Sequence, residues 1–222
     1  MDETAALSVK NLSKAYGSRK VLEDISFNLE PGQLAILRGP NGSGKTTLLN
    51  CISGLIMPDE GSILVAGHDL HRQDQEVRRH LVFIPDVPRF YLELTAYEHL
   101  HFIAAANDSL DGFPQRAEQL MRRFELWDAR DVFPHHYSRG MRLKLGLLMG
   151  FIRPSSVLLL DEPSSAIDAA GVVLLEEELS QRKAAGQAIL VSSHDLRFCQ
   201  NITDKLITLH AGELEYANST AA

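Results

Sequence analysis

The run Gly39-Pro40-Asn41-Gly42-Ser43-Gly44-Lys45-Thr46, followed by Thr47, has the spacing G-x-x-x-x-G-K-[ST]. Glycines at this spacing let successive backbone N–H groups turn inward around phosphate oxygens. A helix beginning near Thr46 adds partial positive charge at the same point. Lys45 is then expected to reach the β- and γ-phosphates, and the Thr46 hydroxyl to ligate Mg²⁺. Far along the chain, Val157-Leu158-Leu159-Leu160 ends in Asp161-Glu162, two carboxylates at the mouth of an apolar run. The first is placed to hold Mg²⁺ through water, the second to orient or deprotonate an attacking water.

These groups need a rigid frame. Leu34 to Leu37, Val157 to Leu160 and Ala188 to Val191 are short, nearly continuous apolar runs, as in strands buried on both faces of a parallel sheet. Ile25, Phe27 and Leu29 alternate with polar residues, and Ser62 to Val65 runs into the turn Ala66-Gly67-His68-Asp69, so an antiparallel layer is expected beside that sheet. Thr95-Ala96-Tyr97-Glu98 is a capping box ahead of Leu100, Phe102 and Ile103. Asn107 to Pro114 reads as a loop; Ala117 to Trp127 reads as a helix carrying Leu120, Met121, Phe124 and Leu126. The expected fold class is α/β: a P-loop NTPase core with a parallel sheet, an N-terminal antiparallel β layer and a helical insertion. The expected organisation is one domain over 1–222, with 1–86 and 138–222 as the core and 87–137 as the helical subdomain.

Composition narrows the function. Hydrophobic residues make up 45% and charged residues 23%, and the formal net charge is −7, which is not the basic footprint of a nucleic-acid binder. The longest charge-free apolar stretch, Leu145 to Ile152, is far short of the ~20 residues of a membrane span. The acidic start Met1-Asp2-Glu3-Thr4 carries no apolar signal core. Cys51 and Cys199 read as two free thiols in a reducing compartment, and Asn218 to Ala222 as a frayed end.

Between the two chemical sites lies Tyr137-Ser138-Arg139-Gly140-Met141, ahead of the helical pattern Leu143, Leu145, Leu147, Leu148. Ser138 can cap that helix, and the Gly140 backbone can approach an anion closely. After the acids come Pro163-Ser164-Ser165-Ala166-Ile167-Asp168 and then Val191-Ser192-Ser193-His194-Asp195. This ordered set resembles the ATP-binding cassette (ABC) ATPases over nearly the whole chain. The resemblance implies that Tyr16 stacks on adenine, Glu162 is the catalytic base, His194 contacts the γ-phosphate and Asp168 communicates between paired cassettes. It implies further that Ser138 and Gly140 bind the γ-phosphate of ATP held by a second, head-to-tail subunit, identical or different. ATP and Mg²⁺ follow as cofactors and integral membrane permease subunits as partners, with this chain peripheral on the cytoplasmic face of the membrane.

Two departures stand out. The family commonly has glutamine where this chain has Asp86, which is read here as a metal-side residue. Arg139 and Met141 replace the usual glycine and glutamine, a variant resembling that of export-type cassettes. A soluble ABC ATPase switching a protein complex is the second reading; long coiled coils, zinc modules or a second cassette would favour it, and none is legible. A non-hydrolysing module would be expected to lack Lys45, Glu162 or His194. Elsewhere the plain readings are solvated histidines at His99/His101 and His135/His136, a solvated face at Glu176 to Glu178, and a surface pair at Arg78-Arg79. Phe90, Tyr91 and Leu92 are expected to form an exposed docking groove.

Overall fold

A computed structural model describes residues 5–195 and 197–215, so the readings at Met1 to Thr4 and at Asn218 to Ala222 lie outside the described residues. The chain divides into two compact units: residues 1–83, 155–162 and 179–222, and residues 84–154 and 163–178.

In the first unit, β1 (Leu7–Tyr16), β2 (Arg19–Leu29), β4 (Glu60–Val65) and β5 (His68–Asp69) form an antiparallel sheet in the order β2-β1-β4-β5. The expected antiparallel layer is therefore present. Ile25, Phe27 and Leu29 all face inward, as their alternation requires. The second sheet has the order β10-β9-β3-β8-β7-β6, from β3 (Leu34–Arg38), β6 (Leu81–Ile84), β7 (Val157–Asp161), β8 (Ala188–Ser192), β9 (Lys205–His210) and β10 (Glu213–Glu215). Here β3 runs parallel to both β8 and β9, and β7 runs parallel to β8. Every residue of β7 and β8 is buried, as the apolar runs Val157 to Leu160 and Ala188 to Val191 demand of strands covered on both faces. Helix α1 (Lys45–Ile52) buries Leu48, Leu49, Cys51 and Ile52 in a core shared with Leu37, Leu159 and Leu190. The short α2 (Asp74–His80) carries Arg78 and Arg79 in exposed ion pairs with Asp74 and Glu76, as a surface pair should.

The second unit holds α3 (Ala96–Ala106), α4 (Phe113–Arg123), α5 (Arg139–Phe151) and the start of α6 (Ala169–Ala184). It takes in more than residues 87–137, because α5 and the 163–178 segment belong to it. The capping box forms: Glu98 N–H donates to Thr95 Oγ1, and the Thr95 N–H donates to Glu98 Oε2 at 2.7 Å. Helix α4 starts earlier and stops earlier than its periodicity suggested. Pro114 sits in the first turn, where its missing N–H is harmless, and Glu125 takes a left-handed φ of 61° that ends the helix before Leu126.

Two plain surface readings are corrected. Glu178 is buried, not solvated, because Arg123 Nη1 donates to Glu178 Oε2 at 2.6 Å. His99 is fully buried, while His101, His135 and His136 are exposed. The Tyr91 N–H donates to His99 Nε2 at 2.9 Å and His99 Nδ1 lies 2.7 Å from the Thr95 carbonyl, so Nδ1 carries the proton and the ring is neutral. Burial pulls its pKa below the usual histidine value against the Thr95 hydrogen bond.

Candidate active site

Parallel register sets the site. Leu37 of β3 is level with Ser192 of β8, and Ser192 is level with Asp161 of β7. The carboxyl ends of three neighbouring strands therefore reach the same height, where ligands bind in open α/β sheets. From these ends spring the 39–44 loop, the Asp161-Glu162 pair and Ser193-His194.

The loop must lie tight against the sheet. A Cβ at position 39 would stand 2.1 Å from the Leu209 carbonyl oxygen and 2.7 Å from Ser43 Oγ, so only glycine fits. Gly44 enters α1 in the left-handed region with φ 108°. Among the described residues no side chain caps α1, so its first N–H groups lack the partner a cap would supply. Among the described residues Ser43 Oγ is buried without a hydrogen-bond partner. Lys45 Nζ donates to the Gly39 carbonyl at 2.8 Å and lies 4.0 Å from Glu162 Oε1. A cavity of about 340 Å³ is lined by Asn41, Gly42, Gly44, Lys45, Thr46, Thr47, Asp161, Glu162, Arg19 and Val21. Loop and helix amides and a lysine around one cavity suit a polyphosphate.

The acids are held by neighbours. Thr46 Oγ1 donates to Asp161 Oδ2 at 2.8 Å, and Ser192 Oγ donates to Asp161 Oδ1 at 2.5 Å. The Glu162 N–H donates to Ser192 Oγ at 3.0 Å and to the Ser192 carbonyl at 3.2 Å. One buried hydroxyl thus locks both acidic residues. Glu162 itself has a φ of 46°, a left-handed backbone that a non-glycine residue adopts only when its surroundings impose it. His194 Nδ1 meets Glu162 Oε2 at 2.7 Å, and the His194 N–H points to the same oxygen at 3.4 Å. Thr46 and Asp161 present hard oxygen donors side by side, a donor set that suits Mg²⁺ completed by phosphate oxygens and water.

Other expected site residues fall elsewhere. Among the described residues, Tyr16 and His194 stand outside the cavity lining; Tyr16 is half-exposed, with Lys14 Nζ 5.7 Å from its ring centroid. Asp86 belongs to the second unit, where its Oδ1 accepts from Ser165 Oγ at 2.8 Å. Ser138 and Gly140 are also in the second unit. Ser138 caps α5 by accepting from the Met141 N–H at 3.2 Å. A Cβ on Gly140 would stand 2.8 Å from the Ala166 carbonyl oxygen, which ties the start of α5 to the 163–168 loop. In that loop's wake Asp168 accepts from the Gly171 N–H at 3.3 Å and faces Lys144 Nζ at 3.8 Å. Ser192, Arg19 and Val21 were not singled out from the sequence. Ser192 sits in the quoted Val191 to Asp195 run, but only strand register makes it opposite Asp161.

Residues 22–165 match the family described as ABC transporter. The chain is 34% identical to the ABC-type transporter ATP-binding protein EcsA of Bacillus subtilis, over 94% of this chain and 85% of that protein. It is 31% identical to the SkfA peptide export ATP-binding protein SkfE of Bacillus subtilis, over 94% of this chain and 87% of that protein. A solved ATP-binding subunit of an ABC transporter superimposes with a TM-score of 0.91 at 34% identity, over 95% of this chain and 88% of the other.

Proposed function

The chain belongs to the ABC transporter family of ATPases, and on that premise we propose that it powers export through separate permease subunits that span the membrane. The observation that carries the reading is the convergence of the phosphate loop, Thr46, Asp161 and Glu162 on one cavity. Lys45 and the loop amides bind the β- and γ-phosphates of ATP. Thr46 and Asp161 would hold Mg²⁺, which would offset the charge of the phosphates. Glu162 orients the attacking water and takes its proton; His194, which donates to Glu162, aims that carboxylate and reaches the γ-phosphate. Tyr16 offers its ring to adenine.

Ser138 and Gly140 complete the site in trans, from a second subunit arranged head to tail, identical or different. ATP then acts as a link between subunits, and hydrolysis loosens it. Among the described residues no helix is long and apolar enough to cross a membrane; the likeness to ABC transporter ATP-binding proteins supports a peripheral place beside a permease on the cytoplasmic face. Val87, Tyr91, Leu92 and Phe102 are exposed apolar side chains of the second unit and form the permease-docking surface, while Phe90 is half-buried against His99. The likeness to SkfE, whose name states peptide export, supports the export direction.

The test is Glu162→Gln, which keeps size and hydrogen bonding but removes the base. ATP binding is expected to persist, Mg²⁺-dependent phosphate release to fall at least ~100-fold, and an ATP-bound dimer to accumulate on size-exclusion chromatography. Wild-type turnover in the purified variant would overturn the assignment.

A further inference from the structure

The hairpin that carries Tyr16 also delivers a cation to the nucleotide cavity. β1 and β2 are joined by Gly17 and Ser18 alone, which makes Tyr16 and Arg19 direct cross-strand partners. Directly opposed residues place their side chains on one face, with Cβ atoms ~4.5–5.5 Å apart. Two positions further along β2, Val21 is pressed against the phosphate loop: a Cβ on Gly44 would stand 2.9 Å from the Val21 carbonyl oxygen and 3.0 Å from Leu22 Cδ2. The strand is thus pinned to the loop at Val21, and Arg19 and Val21 both line the cavity.

Charge gives Arg19 its meaning. Four charged side chains line the cavity: Arg19, Lys45, Asp161 and Glu162. Lys45 is tied to the Gly39 carbonyl and stands beside Glu162, and both acids have hydrogen-bond donors of their own. The exposed Arg19 guanidinium has no hydrogen-bond or ion-pair partner among the described residues. An unpaired guanidinium at the mouth of a polyphosphate cavity is placed to receive phosphate oxygens, which its planar fork can bind two at a time.

We propose that Arg19 is a further nucleotide-binding residue, contacting the phosphate chain of the bound nucleotide from the β-hairpin side of the cavity. The proposal rests on the nucleotide-site reading above. It makes the hairpin a two-part reader: the Tyr16 ring for the base and its cross-strand partner for the phosphate chain. Because Arg19 is exposed, its contribution is modest and screened by salt, unlike that of the enclosed loop.

The experiment is equilibrium binding of fluorescent ATP and ADP to the purified full chain, at low salt and at ~0.5 M salt. Wild type is compared with Arg19→Gln, Arg19→Lys and Lys45→Ala. Arg19→Gln is expected to weaken both nucleotides by ~3–10-fold at low salt, with an unchanged melting temperature. The difference should shrink at high salt, and Arg19→Lys should recover part of it. Equal affinity of wild type and Arg19→Gln at low salt would overturn the proposal, as would a loss that salt does not diminish. If Lys45→Ala abolishes binding while Arg19→Gln is silent, the nucleotide site stands and the role of Arg19 falls. If Lys45→Ala leaves binding intact, the site reading falls first and the proposal with it.

Discussion

Ser192→Ala is the sharpest test of how the two acids are aimed. Its hydroxyl, fully buried, donates to Asp161 Oδ1 at 2.5 Å and accepts from the Glu162 N–H at 3.0 Å. The two bonds are unequal in consequence. The Glu162 N–H retains the Ser192 carbonyl at 3.2 Å, so its loss counts for little. Asp161 retains Thr46 at 2.8 Å but loses a charge-assisted bond in a buried place, worth ~1.5–3 kcal/mol. We expect Ser192→Ala to lose ~2 kcal/mol, which for a chain of this length lowers the melting temperature by ~4–8 °C. The same change frees one Asp161 oxygen and loosens the strained Glu162 backbone. We therefore expect kcat to fall ~10-fold, equal to ~1.4 kcal/mol, the Mg²⁺ needed for half-maximal rate to rise, and ATP affinity without Mg²⁺ to stay within ~2-fold. Ser192→Cys separates the causes: it fills the space but is a weak donor, so a packing effect would be restored and a hydrogen-bond effect would not. Differential scanning fluorimetry and an Mg²⁺ titration of steady-state ATPase read both effects. A melting temperature within ~1 °C of wild type together with an unchanged Mg²⁺ curve would refute the argument.

Mixing Lys45→Ala with Ser138→Arg tests the composite site: each is expected to be inactive alone, and the mixture to regain ATPase activity from one intact site per mixed dimer, whereas a dead mixture would remove the head-to-tail arrangement. Asp86→Asn should raise the Mg²⁺ requirement if Asp86 acts on the metal, and Asp86→Gln should restore much of the activity; because Asp86 accepts from Ser165 Oγ, Ser165→Ala is the companion variant, and identical Mg²⁺ curves for all of these would assign Asp86 to that hydrogen bond alone. His99 gives a pH signature. Its folded pKa lies below the ordinary value of 6.5, so the unfolded chain binds the extra proton first; its contribution to stability is complete above about pH 6.5 and is lost as pH falls through the lower folded value. His99→Gln should lower stability at pH 7.5 and flatten this acid-side slope in thermal melts between pH 7.5 and 5, and parallel slopes for both proteins would refute it.

The phosphate loop, the cap at Ser138, the capping box at Thr95 and the fully buried strands were legible because each depends on neighbours in the chain. A glycine-rich turn between a strand and a helix needs only residues 34–52, and an unbroken apolar run states its own burial. The ordering of five such motifs carried the family resemblance. Other features depend on which strands are neighbours and in what register. Ser192 faces Asp161 because β8 lies beside β7, and a slip of one residue would turn its hydroxyl to the opposite face. Arg19 reaches the cavity because a two-residue turn pairs it with Tyr16 and because Val21 packs against Gly44. His99 and Glu178 looked solvated because histidine and glutamate usually are; their burial became affordable only through partners remote in sequence or supplied by the backbone, Arg123 for Glu178 and the Tyr91 and Thr95 backbone for His99. Local chain chemistry thus pointed to the candidate phosphate-binding residues, and long-range packing decided which side chains hold those residues in place. Hydrogen bonds and desolvation act over a few ångströms of space, whatever the distance along the chain.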